Sequence, residues 1–200
     1  METNFLKSFE KVPRRTSFRA VLSNEFKGNS FKEDITDEYK TEFNFYNNNV
    51  KKSRINKDLL FTNYLSNRTP RDITDILYQF HQDPSIIERG KIDQVRLNRS
   101  KIKQCLSIYY ELQEEEEEYV FKANIETLSA QKIEVRIYCV VDLDSESKHI
   151  NVNIITIDPF HLVIPSDHRG EDKLVVEKRT FDSNSQNKIC ISNYLTDFVL

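Results

Sequence analysis

Two periodicities divide this 200-residue chain, and they meet at five consecutive glutamates, Glu114 to Glu118. Upstream of them, apolar residues recur at three- and four-residue steps, as in helices that bury one face. Phe18, Val21, Leu22 and Phe26 predict a short helix that stops near Gly28. Ser30-Phe-Lys-Glu33 has the form of a capping box, and Phe31, Ile35, Tyr39 and Phe43 then follow at four-residue spacing, which predicts a helix over 31–46. After the Asn47-Asn48-Asn49 loop, Leu59, Leu60, Tyr64 and Leu65 form another helical stripe. Thr69-Pro70-Arg71-Asp72 places a hydroxyl, a proline and an acid ahead of Ile73, Ile76, Leu77 and Phe80. That order predicts a helix, ended by Asp83-Pro84 because the residue before a proline is pushed out of the α region. Gly90 lies in the connection that follows. Ile102, Cys105, Leu106, Tyr109 and Leu112 predict the next helix, over 100–113 with Ser100 as its cap.

Beyond the glutamates the period becomes two. Tyr119, Phe121, Ala123 and Ile125 alternate with polar or second-face residues, as do Ile133 to Leu143 and Ile150 to Ile154. A one-residue slip would turn an apolar set to the wrong face, so the faces constrain the pairing. Setting residue 143 opposite 148 pairs Val141 with Ile150, and setting 125 opposite 133 pairs Phe121 with Ile137. The result is a three-stranded antiparallel meander with Lys122, Asn124, Glu134, Arg136, Asn151 and Asn153 on a polar outer face. Phe160–Ile164, Leu174–Val176 and Ile189–Ile191 are short further strand candidates. The fold class read from these patterns is α+β: an N-terminal helical half followed by an antiparallel β-meander with short extra strands. The divisions are a helical half at 1–113, a glutamate-rich junction at 114–118 and a β half at 119–200, as separate halves or as one domain.

Charge follows the same division: residues 1–113 carry 20 Lys and Arg against 15 Asp and Glu, residues 114–200 carry 9 against 17, and the whole chain is at −3. Thirteen phenylalanines and nine tyrosines supply core material that disordered chains lack, whereas three glycines argue against phosphate-cradling glycine loops. Cys105, Cys139 and Cys190 are odd in number and each lies in an apolar stretch, which predicts buried free thiols rather than a disulfide framework or a zinc knuckle. The N-terminal stretch lacks an apolar leader core, and no apolar run approaches the roughly 20 residues of a membrane span. These features predict a cytoplasmic protein with no membrane association.

Two stretches carry candidate chemistry. His161, His168 and Arg169 fall in a polar segment after the meander, where an acid/base group beside a cation suits phosphodiester chemistry. His161, Asp167 and His168 lack recognisable metal-ligand spacing, so neither metal nor cofactor is predicted. Arg89, Lys91, Arg96, Arg99, Lys101 and Lys103 crowd one stretch against only Glu88 and Asp93, the footprint of phosphate binding, with Tyr109 or Tyr110 as base-stacking candidates. Arg14, Arg15 and Arg19 make a smaller cluster. The order of helices, basic stretch and meander is similar to that of small ribonuclease toxins, without a shared motif.

Absence of paired catalytic motifs, scarce glycine and abundant aromatics favour a non-catalytic interaction or assembly protein, with a protein partner or self-association. The alternative is a nucleic-acid-binding protein or metal-independent ribonuclease.

Overall fold

In the computed structural model, the described residues are 18, 39–45, 52–126, 133–144, 146–165, 170–187 and 189–195. The expected N-terminal helical half is not what forms. A mixed five-stranded sheet dominates, and its first strand comes from the segment read as the 31–46 helix. Strand β1 (Lys40–Phe45) runs parallel to β8 (His149–Asp158), with Phe43 opposite Val152. A spacing of four places Tyr39 and Phe43 on one face of a strand as well as of a helix, so it could not separate the two. Thr41, Phe43 and Phe45 are partly buried and alternate with exposed Lys40, Glu42 and Asn44.

The 59–65 stripe is likewise extended. β2 (Ile55–Asn56) pairs with β3 (Phe61–Thr62), and the turn between them passes through Leu60 at φ 48°, a left-handed conformation that interrupts a helix. β4 (Tyr64–Leu65) pairs with β9 (Ile189–Cys190), in the region where a C-terminal strand was expected. The helix foreseen after Pro70 does form, as α1 (Arg71–Gln82), with Ile73, Ile76, Leu77 and Phe80 buried and Asp83 already extended. A 3-10 turn over Pro84–Arg89 then leads into β5 (Lys91–Gln94). Helix α2 (Ser100–Ser107) is shorter than predicted, and the glutamates form a 3-10 turn, Glu114–Tyr119, that runs straight into β6 (Val120–Glu126).

The meander β6–β7–β8 is present, with β7 spanning Glu134–Asp144, and the sheet order is β1-β8-β7-β6-β5. Both hairpins, however, sit two residues from the expected register: Val141 faces Val152 and Phe121 faces Cys139. A shift of two leaves every side chain on its face, so apolar patterning alone could not fix it. Between Tyr138 and Cys139 the β7–β8 register slips, because Tyr138 pairs with Thr156 whereas Cys139 pairs with Ile154. Ile155 is the extra residue of this bulge.

The outer face is not wholly polar. Val120, Tyr138, Val140 and Ile155 project from it into a second core with Ile102, Cys105, Leu106 and Tyr109, so α2 covers that face while α1 covers the other. Burial on both faces explains why β7 reads as a nearly continuous apolar run. Cys105, Cys139 and Cys190 are buried free thiols, and burial pushes the Cys105 pKa up to about 12. The Leu174–Val176 segment expected as a strand begins α3 (Lys173–Ser185) instead, because the Asp172 carboxylate caps the amides of Leu174 at 2.9 Å and Val175 at 3.2 Å. Phe160–Ile164 is a tight turn rather than an edge strand. Among the described residues, no helix is long and apolar enough to cross a membrane.

Candidate anion-binding site

The basic stretch does not form one surface. Arg89 lies 4.0 Å from Asp83, Lys91 pairs with Asp93 at 2.9 Å, Lys101 pairs with Glu177, and Lys103 pairs with Glu117. The glutamate run therefore does neutralise part of the basic stretch before it. Arg96 and Arg99 are exposed, and neither meets a carboxylate among the described residues. Both line a surface cavity of about 290 Å³, together with Gln94, Val95, Asn98, Ile102, Lys122 and Ile164.

Local structure brings these groups together. Arg96 and Arg99 occupy the turn between β5 and α2, and Arg99, not Ser100 as expected, holds the cap position ahead of α2, with no side-chain hydrogen bond capping the helix. An uncapped helix start presents main-chain amides and the positive end of the helix dipole in the same place as the two guanidinium groups. Lys122 reaches the cavity from the neighbouring strand, where it pairs across from Asp93. Its ammonium is 3.6 Å from that carboxylate, and burial, together with the nearby Arg136, lowers its pKa. An arriving anion would offset the repulsion from Arg136 and favour the charged ammonium. The apolar floor is Val95 and Ile102, both 5% exposed.

The opposite wall comes from the segment after β8. Asp158, 2% exposed, accepts hydrogen bonds from the amides of Leu162 and Val163, both at 2.8 Å, and so folds 158–163 back on itself. Arg136 donates to the carbonyl of Ile164, which fixes the cavity wall to the sheet. His161, at φ 59°, turns its Nε2 to the Glu134 carbonyl at 2.9 Å, with the Glu134 carboxylate 3.8 Å away. Burial lowers its pKa.

His168 and Arg169 lie outside the described residues, as do Asp167, Arg14, Arg15 and Arg19. Tyr109 is 2% exposed within the second core, edge-on to Phe61 at 5.9 Å, and cannot stack on a base. Tyr110 donates its hydroxyl to Glu116. Among the described residues no group of three or more His, Cys, Asp and Glu side chains is placed to hold a metal ion. Sequence reasoning named Arg96, Arg99 and Lys122 but placed Lys122 in a different set, on the outer sheet face. Only the β5–β6 pairing joins them.

In comparison with known proteins, no family model, curated protein or solved structure matches the chain.

Proposed function

We propose that this is a non-catalytic interaction protein that recognises a phosphate-bearing ligand through Arg96, Arg99 and Lys122. The observation that carries the reading is the convergence of two arginines that meet no carboxylate among the described residues and a half-buried lysine on one small concavity at an uncapped helix start. Guanidinium groups match oxyanions with paired donors, and a half-buried site weakens the competition from water and salt. The candidate acid/base side chain nearest this wall, His161, is already committed to Glu134, and Asp158 to two main-chain amides. Those commitments favour binding over catalysis.

The test is titration with inorganic phosphate and with a short RNA, followed by backbone amide chemical shifts. Shifts should centre on residues 94–102 and 122, and the double variant R96A/R99A should weaken binding at least tenfold, as expected when charge-assisted hydrogen bonds are lost. Binding unaltered in that variant would remove the proposal.

A second contact surface is suggested by the first turn of α3, where Leu174 is 69% exposed and Val175 58%, while Val176, Glu177, Phe181 and Asn184 form the buried side of the helix. Adjacent exposed apolar residues of this kind suit a protein partner. If they serve one, L174S/V175S should abolish any self-association seen by sedimentation without lowering stability.

A further inference from the structure

We infer that the ligand of this cavity is a nucleotide bearing a terminal 5′-phosphate, either free or at the end of a nucleic-acid strand, a conclusion that rests on the phosphate-binding reading above. Three features of the lining point past a bare anion. First, its charge is concentrated: Arg96, Arg99 and Lys122 are all cations, and among the described residues no acidic one lines the cavity itself. A terminal phosphate carries close to two negative charges at neutral pH against one for an internal phosphodiester, so it gains more from three cations and a helix start.

Second, the cavity is amphipathic. Val95, Ile102 and Ile164 contribute an apolar surface beside the cations, and inorganic phosphate would leave that surface unused. A planar base covers such a surface and removes it from water. Third, Gln94 and Asn98 bring carboxamides to the same lining. Each carries both a donor and an acceptor, the combination that pairs with the polar edge of a base.

Size agrees with one nucleotide rather than a strand. At about 290 Å³ the cavity lies at the small end of the roughly 300–1,000 Å³ typical of ligand sites, too small for several consecutive nucleotides. Among the described residues, Tyr109, the stacking candidate beside the basic stretch, is in the core and offers no platform extending from the cavity. An internal segment of a strand would need such a path on both sides.

The experiment measures dissociation constants, by calorimetry on the full chain, for inorganic phosphate, AMP, CMP, adenosine, and an RNA hexamer with either a 5′-phosphate or a 5′-hydroxyl. At least one nucleotide or the 5′-phosphorylated hexamer should bind tenfold or more tightly than both inorganic phosphate and adenosine. The 5′-hydroxyl hexamer should bind at least tenfold more weakly than its phosphorylated counterpart. N98A should weaken nucleotide binding severalfold more than phosphate binding, and R99A should weaken both. Tight free nucleotide with an excluded hexamer identifies a small-molecule ligand; the reverse identifies a strand terminus. Equal affinities for phosphate, nucleotide and 5′-phosphorylated hexamer, or a hexamer that binds equally tightly with and without its 5′-phosphate, overturn the inference and leave the phosphate site standing. Failure of every anion to bind removes both.

Discussion

Lys101 on α2 and Glu177 on α3 form an ion pair in which the carboxylate side chain is only 5% exposed and the lysine 29%. This contact accounts for a glutamate on the inner face of α3, where it lies beside the buried Val176 and Phe181. Asn184, two turns further along the same helix, accepts from the amide of Ser66 at 2.9 Å, so polar contacts join Val176 and Phe181 in seating α3. Removing one partner of such a pair leaves a buried charge without compensation, whereas replacing both with apolar groups removes the desolvation penalty as well. E177A should therefore cost about 3 kcal/mol in denaturant unfolding, at the lower end for buried pairs because the lysine retains some water. K101M/E177L should recover most or all of that loss. Equal destabilisation by the single and double variants would show that packing, not charge, seats α3.

Gly90 packs tightly against the main chain of β6 at Asn124. A Cβ there would stand 2.1 Å from the Asn124 carbonyl oxygen and 2.8 Å from its carbon, both main-chain atoms that cannot rotate away. Its φ of −87° suits any residue, so close approach rather than backbone conformation demands the glycine. G90A should destabilise by about 1–3 kcal/mol, the range for overpacking, and should lower hydrogen-exchange protection in β5. Because β5 leads directly to Arg96, the same variant should weaken phosphate binding as well.

How far the sequence foretold this arrangement depends on whether each signal was local. Helix α1 was legible because its proline, acid and apolar stripe lie within one segment. The strands of the meander were legible for the same reason, but their register was not, since a two-residue slide keeps Cys139, Val141 and Val152 on their face. β1 was misread because a spacing of four satisfies both periods, and only its parallel partner β8 decides between them. α3 gave no helical period at all: Glu177 and Asn184 are held inside by residues 76 and 118 positions away, Lys101 and Ser66. The candidate site shows the same limit. Arg96 and Arg99 could be named, but their separation from Lys91, Lys101 and Lys103 depends on which carboxylates the fold brings near.

Lys122 makes phosphate binding sensitive to alkaline pH. Burial and Arg136 lower its pKa, so it gives up its proton at lower pH than a solvent-exposed lysine. Affinity for phosphate should therefore begin to fall before the ordinary lysine value of 10.5, whereas Arg96 and Arg99 remain charged throughout. Titrations between neutral pH and pH 10 should show that decline, and K122Q, weaker at neutral pH, should lack it. An unchanged pH profile in K122Q would place Lys122 outside the binding set.

His161 should make stability fall under mildly acidic conditions. Its ring faces Glu134, Arg136 and Asp158, and the carboxylates favour the charged form, yet burial prevails and lowers the pKa below 6.5. In the unfolded chain the same ring protonates near 6.5, so acid stabilises the unfolded state first. The contribution of the neutral ring is complete above the unfolded value and is lost as pH falls from there toward the lowered folded value. Its replacement must tolerate the left-handed backbone at φ 59°, and asparagine does so better than most residues. H161N should thus fold, lose the Nε2 contact to the Glu134 carbonyl, and show a flatter dependence of unfolding free energy on pH between 7 and about 5. Urea titrations of both proteins across that interval provide the comparison, and equal slopes would mean that other groups carry the acid sensitivity.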